Sequence, residues 1–133
     1  PVNEGLTGTM APNRSFETIS KQDFNQAGVI GSAETKYAAN QLMATIDVQS
    51  AEDLDIVFEF DGNLLNLLGF QQTSPHPMGI SVEPGQFKVR HHGENTYLFT
   101  LGYPARTASE VHVKFYSDGL LFQKTLKTLP DNE

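Results

Sequence analysis

The sequence predicts an all-β chain folded as an antiparallel β-sandwich, of Ig-like or jelly-roll type. The first observation is alternation: apolar and polar residues alternate with period two, as half-buried strands require, over residues 41–48, 54–60, 87–92, 97–103 and 111–126. The second is punctuation, because turn-forming residues separate these segments at near-regular spacing. Several short strands divided in this way are typical of sandwiches.

The chain has 133 residues, which is enough for one domain and hardly for two. We expect residues 1–33 to form an N-terminal arm, because they are polar and glycine-rich, with one short strand near residues 15–19. Such an arm either adds a strand to a partner or is a mobile terminus. Residues 34–129 are expected to form the sandwich and residues 130–133 a tail.

The sandwich is expected to open with an ambiguous segment. Residues 33–43 have partial helical spacing, and Ser32 is a candidate helix cap. From Leu42 onward the alternation is that of a strand. After a turn at residues 50–53, a second strand is predicted to face inward through Leu54, Ile56, Phe58 and Phe60.

Asp61-Gly62 directly follows this second strand. Because Asp and Gly tolerate positive φ, the pair favours a hairpin in which residues 64–70 return as the partner strand. The competing interpretation makes Asp61 a helix cap and Gly69 the helix stop; we prefer the strand. Residues 58–70 resemble a hairpin of cohesin-type and carbohydrate-binding sandwiches. The resemblance covers 13 of 133 residues and implies no residue roles or activity.

The C-terminal half predicts an edge strand at residues 79–83, three clear strands and a hairpin. The hairpin turn is Ser117-Asp118-Gly119. Alternation directs Lys88, Arg90 and His92 to one face of their strand, and His112 and Lys114 to one face of another. The residues expected to form a largely buried core are Phe58, Phe60, Phe87, Tyr97, Phe99, Leu101, Val113 and Phe115.

Charge is divided unevenly along the chain. Residues 1–85 hold 3 basic and 11 acidic residues, whereas residues 86–127 hold 6 basic and 3 acidic ones. If the two basic strands share a sheet, they form a binding surface for an acidic partner or for the acidic face of a second copy. The residues of this surface are Lys88, Arg90, His92, His112 and Lys114. The acidic face consists of Asp53, Asp55, Glu59 and Asp61. The alternative is that acidic and basic strands pair within one sheet as ordinary ion pairs.

Several kinds of chemistry are not expected. There is no cysteine, so disulfides and thiolate-bound metals are excluded. The net charge of −7 argues against nucleic-acid binding, and no apolar run reaches the length of a membrane helix. The sequence contains no HExxH, GxSxG or phosphate-binding loop, so we predict no catalytic residues, no metal site and no cofactor.

These observations predict a non-catalytic binding or assembly module whose partner is another protein or a second copy. A cell surface, a periplasm or a virus particle is the favoured location. The first alternative is a carbohydrate-binding or accessory domain of a larger secreted protein, although Tyr37, Tyr116, Phe70 and Phe122 are the only candidate rings for stacking sugars. The second alternative is a metal-dependent enzyme that uses His91 or His92 with His112.

Overall fold

The computed structural model describes residues 17–38, 40–73, 80–104 and 107–128. Within these ranges the chain forms ten strands and no helix. The strands are β1 (Glu17–Gln26), β2 (Val29–Ala38), β3 (Gln41–Ser50), β4 (Leu54–Phe60), β5 (Asn66–Gln72), β6 (Ile80–Glu83), β7 (Gln86–His91), β8 (Glu94–Gly102), β9 (Glu110–Tyr116) and β10 (Leu120–Lys127). No described segment is a helix long and apolar enough to cross a bilayer.

The strands make two five-stranded sheets in which every neighbouring pair is antiparallel. The first sheet has the order β1-β2-β3-β8-β5, and the second has the order β10-β9-β4-β7-β6. Their inner faces share one hydrophobic core. The predicted antiparallel β-sandwich is therefore confirmed.

Aromatic rings fill the space between the sheets. Phe58 and Phe87 stack at 4.4 Å in the second sheet, and Phe99 of the first sheet meets them edge-on at 5.2 and 5.4 Å. Edge-to-face contacts of this kind are favourable because the positive ring edge meets the negative ring face. Seven of the eight predicted core residues are buried, whereas Phe60, at the end of β4, is only half-buried.

The sandwich begins earlier than the sequence predicted. Residues 17–33, assigned to an extended arm, belong to the β1–β2 hairpin at one side of the first sheet. Few apolar anchors suffice there because Phe24 packs against the stacked rings of Phe115 and Phe122 in the second sheet, with ring centroids 5.4 and 5.8 Å away. Strands β2 and β3 also exclude the helical interpretation of residues 33–43. The predicted strand near residues 15–19 falls partly outside the described residues, and the predicted tail, residues 130–133, falls wholly outside them.

The predicted hairpin at Asp61-Gly62 is wrong, although residues 66–72 do form a strand. Strand β4 lies in the second sheet and β5 in the first, so this turn carries the chain across the sandwich. The N–H groups of Leu64 and Leu65 donate to the Asp61 carbonyl, and the Asn63 N–H donates to the Asp61 carboxylate at 2.9 Å. Asp61 therefore caps a helical turn, and Gly62 has no positive φ.

The turn predicted at residues 117–119 does form a hairpin, in which β9 pairs with β10. Asp118 and Gly119 both have positive φ, of 57° and 114°. These values are the ones that Asp-Gly accepts at low cost.

Candidate functional site

The outer face of the second sheet brings the predicted charged residues together. Strand β4 lies between β7 and β9, so the acidic strand separates the two basic ones. One cross-strand row consists of Arg90, Asp55 and Tyr116, a second of Lys88, Val57 and Lys114, and a third of Gln86, Glu59 and His112. We call these nine residues the charged face.

Two ion pairs span the strands of the charged face. A guanidinium nitrogen of Arg90 donates to the Asp55 carboxylate at 3.1 Å, and the Lys114 ammonium donates to Glu59 at 2.9 Å. The hydrogen bond with Glu59 raises the pKa of Lys114. These four side chains therefore form ion pairs within one sheet, which is the second of the two arrangements considered from the sequence.

Lys88 differs from the other cations of the charged face. Its side chain is exposed, and no carboxylate of the described residues lies within ion-pair distance of it. It lies opposite Val57, which lies in turn opposite Lys114. Val57 is only 8% exposed although it points outward. Long cationic side chains cover apolar surface with their stems while their charges stay in water, which accounts for this burial.

The remaining predicted site residues lie at the rims of the charged face. His92 follows β7 and contacts the Asp53 carboxylate at 2.5 Å, and both side chains are exposed. His112 Nε2 lies 3.7 Å from Glu110 on its own strand. The Asp61 carboxylate accepts a hydrogen bond from the Asn63 N–H within its own turn. All five predicted basic residues thus border one surface, but three of the four predicted acidic residues, Asp53, Asp55 and Glu59, already contact them on the same copy.

His91 lies apart from this face. It is fully buried and points into the core, so it cannot join His92 or His112. Among the described residues no group of three His, Asp or Glu side chains is placed to hold a metal ion. All described aromatic side chains are buried or half-buried, including Phe122, which the sequence marked as available.

Sequence reasoning missed Val57 and Tyr116 as members of the charged face. Their alternation shows that both point outward, so the signal was present. What the sequence lacked was the strand order, which places Val57 between Lys88 and Lys114 and Tyr116 beside Asp55.

Comparison with known proteins assigns no family. No family model matches the chain, and no curated protein matches it. Among solved structures, it is similar to a non-cellulosomal cohesin from the hyperthermophilic archaeon Archaeoglobus fulgidus, with a TM-score of 0.41 and 11% sequence identity over 68% of this chain and 82% of that chain.

Proposed function

We propose that this β-sandwich is a non-catalytic protein-binding module and that the charged face is its binding surface. The observation that carries the proposal is Lys88, an exposed cation at the β7 end of the middle row of the charged face. No carboxylate of the described residues is paired with it, so a carboxylate of a partner protein binds there without first displacing one of them. The partner's surface is accordingly acidic at this point.

The ion pairs around Lys88 support the same function. Arg90 and Asp55 hold each other across neighbouring strands, as do Lys114 and Glu59. Side chains held in one geometry lose less conformational entropy when a partner docks, which favours affinity. An alternating pattern of charge also selects partners, because a wrong partner places like charges opposite each other.

The location of these residues on strands supports binding rather than catalysis. The charged face is built on three hydrogen-bonded strands, and its two carboxylates, Asp55 and Glu59, are engaged by cations. A cleft of about 460 Å³ does lie beside it, lined by Glu59, Phe60, Asp61, Ser109, Glu110 and His112. Nδ1 of His112 contacts the Thr125 hydroxyl and the Gln123 amide, and Nε2 lies 3.7 Å from Glu110, so both ring nitrogens have partners within the protein.

Site-specific photo-crosslinking tests the proposal. A photoreactive residue replaces Gln123, which pairs with Lys114 at the border of the charged face; in the control it replaces Lys36, an exposed cation on the first sheet. In extracts of the native source, we expect a specific protein band at position 123 that adding Lys88→Glu removes. Equal bands at positions 123 and 36, or a band that Lys88→Glu leaves unchanged, would contradict the proposal.

A further inference from the structure

The two lateral edges of the first sheet differ in how they are closed. At the β1 edge, the Gln22 amide donates to the Thr125 carbonyl of β10 at 3.0 Å, and Phe24 packs against two stacked rings of the second sheet. At the opposite edge, β5 pairs with β8 alone among the described strands. An open edge strand is a template for pairing with another chain unless it is protected by charge, proline or distortion.

The backbone of β5 presents hydrogen-bonding groups along this edge that no described strand pairs with. The Thr73 N–H donates to the Thr96 carbonyl at 3.0 Å. Because antiparallel hydrogen bonds alternate along a strand, Gln71 also directs its N–H and C=O toward β8, and Phe70 and Gln72 direct theirs outward. The register is regular from Gly69 to Gln72 and shifts only at Leu68. The irregularity at Leu68 thus leaves the C-terminal part of β5, residues 69–72, in regular register.

Charge does not protect this edge either. No Asp, Glu, Lys or Arg occurs between Asp61 and Glu83, in a chain of net charge −7. The exposed side chains near the edge include Leu64, at 43%, and Leu68, at 54%. Leu68 lies over Gly102, where an added Cβ would come within 2.8 Å of Leu68 Cδ1. The edge therefore carries no formal charge in a molecule of net charge −7, and it exposes two leucines beside it.

We propose that β5 pairs antiparallel with β5 of a second copy of this chain, joining two first sheets into one continuous sheet. Pairing about a two-fold axis at Gln71 sets Phe70 of each copy opposite Gln72 of the other. The four outward N–H groups of these residues then donate to the four outward carbonyls. A second copy fits because this edge meets its own image with no like charges opposed, whereas copies carrying −7 each repel elsewhere.

Gln71 provides the test, because it is exposed and its side chain meets its own image at the two-fold axis. Sedimentation equilibrium is measured for the wild type, Gln71→Lys and Gln71→Glu, up to about millimolar concentration and in about 0.15 M salt, where the Debye length of about 8 Å screens distant charges but not charges in contact. Gln49→Lys, an exposed change on β3, is the matched control. We expect a dimer for the wild type and the control, a loss of self-association in both Gln71 variants, and a heterodimer when the two variants are mixed.

The mixing experiment separates pairing from loss of folding, since an unfolded variant cannot form the heterodimer. A wild type that stays monomeric at every concentration would overturn the proposal. A dimer that survives Gln71→Lys would overturn it too. Lys88 lies on the other sheet, so Lys88→Glu should leave the dimer intact; a dimer that Lys88→Glu dissociates would assign association to the charged face instead.

Discussion

The buried ring of His91 connects the two sheets through the hydroxyl of Tyr97. Its Nδ1 lies 2.6 Å from the Tyr97 oxygen, and its Nε2 lies 2.7 Å from the Gly93 carbonyl oxygen. A carbonyl only accepts, so Nε2 carries the proton and Nδ1 accepts from the tyrosine hydroxyl. Burial raises the pKa of Tyr97 to about 12, which keeps that proton in place. The neutral ring thus ties β7 to β8 at the point where the chain changes sheets.

This arrangement predicts that the folded protein loses stability in mild acid. Burial lowers the pKa of His91 below its ordinary value of 6.5. The unfolded chain therefore binds the proton first, and the free energy of unfolding falls as pH drops below about 6.5, by at most about 1.4 kcal/mol per pH unit. Urea unfolding between pH 8 and pH 5.5 measures this slope. His112→Gln should keep the slope, and a stability that is independent of pH over this range would contradict the assignment.

Removing the Tyr97 hydroxyl should cost stability without creating a large cavity. Tyr97→Phe leaves Nδ1 of His91 buried and without its donor, which costs about 1–3 kcal/mol. Tyr116→Phe, on the charged face, is the control and should change the free energy of unfolding by less than about 0.5 kcal/mol. Equal effects of the two substitutions would show that the His91–Tyr97 contact contributes nothing.

Removing the hydroxyl of Thr35 should stabilise the folded protein. It is fully buried in β2, and its hydroxyl has no hydrogen-bond partner among the described residues. Thr35→Val keeps the shape and removes the unpaired group, so the free energy of unfolding should rise by about 1 kcal/mol. The half-buried Thr45 on β3 serves as the control site. A Thr35→Val protein less stable than the wild type would indicate a hidden partner for the hydroxyl.

Gly31 should not tolerate a side chain. A Cβ there would lie 1.9 Å from the Asp47 carbonyl oxygen and 2.9 Å from the Phe24 ring. Gly31→Ala therefore forces β2 away from β3 and should destabilise the fold by about 1–3 kcal/mol or more. Gly69→Ala is the matched control because nothing lies within 4 Å of its added Cβ. Thermal unfolding of both variants checks the difference, and equal melting temperatures would contradict it.

Phe99 should contribute more to stability than Phe60. Phe99 is 1% exposed and contacts the rings of Phe58 and Phe87, whereas Phe60 is half-buried with its ring centroid 6.4 Å from that of Phe87. Phe99→Ala should cost about 3–5 kcal/mol, and Phe60→Ala less. Chemical denaturation ranks the two, and a larger loss at Phe60 would contradict this description of the core.

Alternation predicted the strands and most of the core because a strand buried on one face must alternate. It failed at β1, where the neighbouring residues are polar and Phe24 alone is described as buried. It also failed at Asp61-Gly62, since a hairpin and a crossing between sheets begin with the same turn-forming residues. Local sequence specifies the turn, but packing of β5 against β8 decides which sheet the chain joins.

The candidate site was predictable as a set of side chains but not as an arrangement. Alternation along the strands placed Lys88 and Arg90 on one face of their strand and Lys114 on one face of another strand. The position of β4 between β7 and β9 depends on pairings distant in sequence. Those pairings convert a predicted basic patch into ion pairs, and among the described residues they leave Lys88 as the one lysine of the charged face without a carboxylate partner.

The affinity of Lys88→Glu for the crosslinked partner tests the central claim most directly. Isothermal titration calorimetry compares the wild type, Lys88→Glu and the control Lys36→Glu, which makes the same charge change on the first sheet. We expect Lys88→Glu to weaken binding about tenfold or more, equivalent to about 1.4 kcal/mol, and Lys36→Glu to change it by less than about twofold. Equal affinities of the two variants would contradict binding through the charged face.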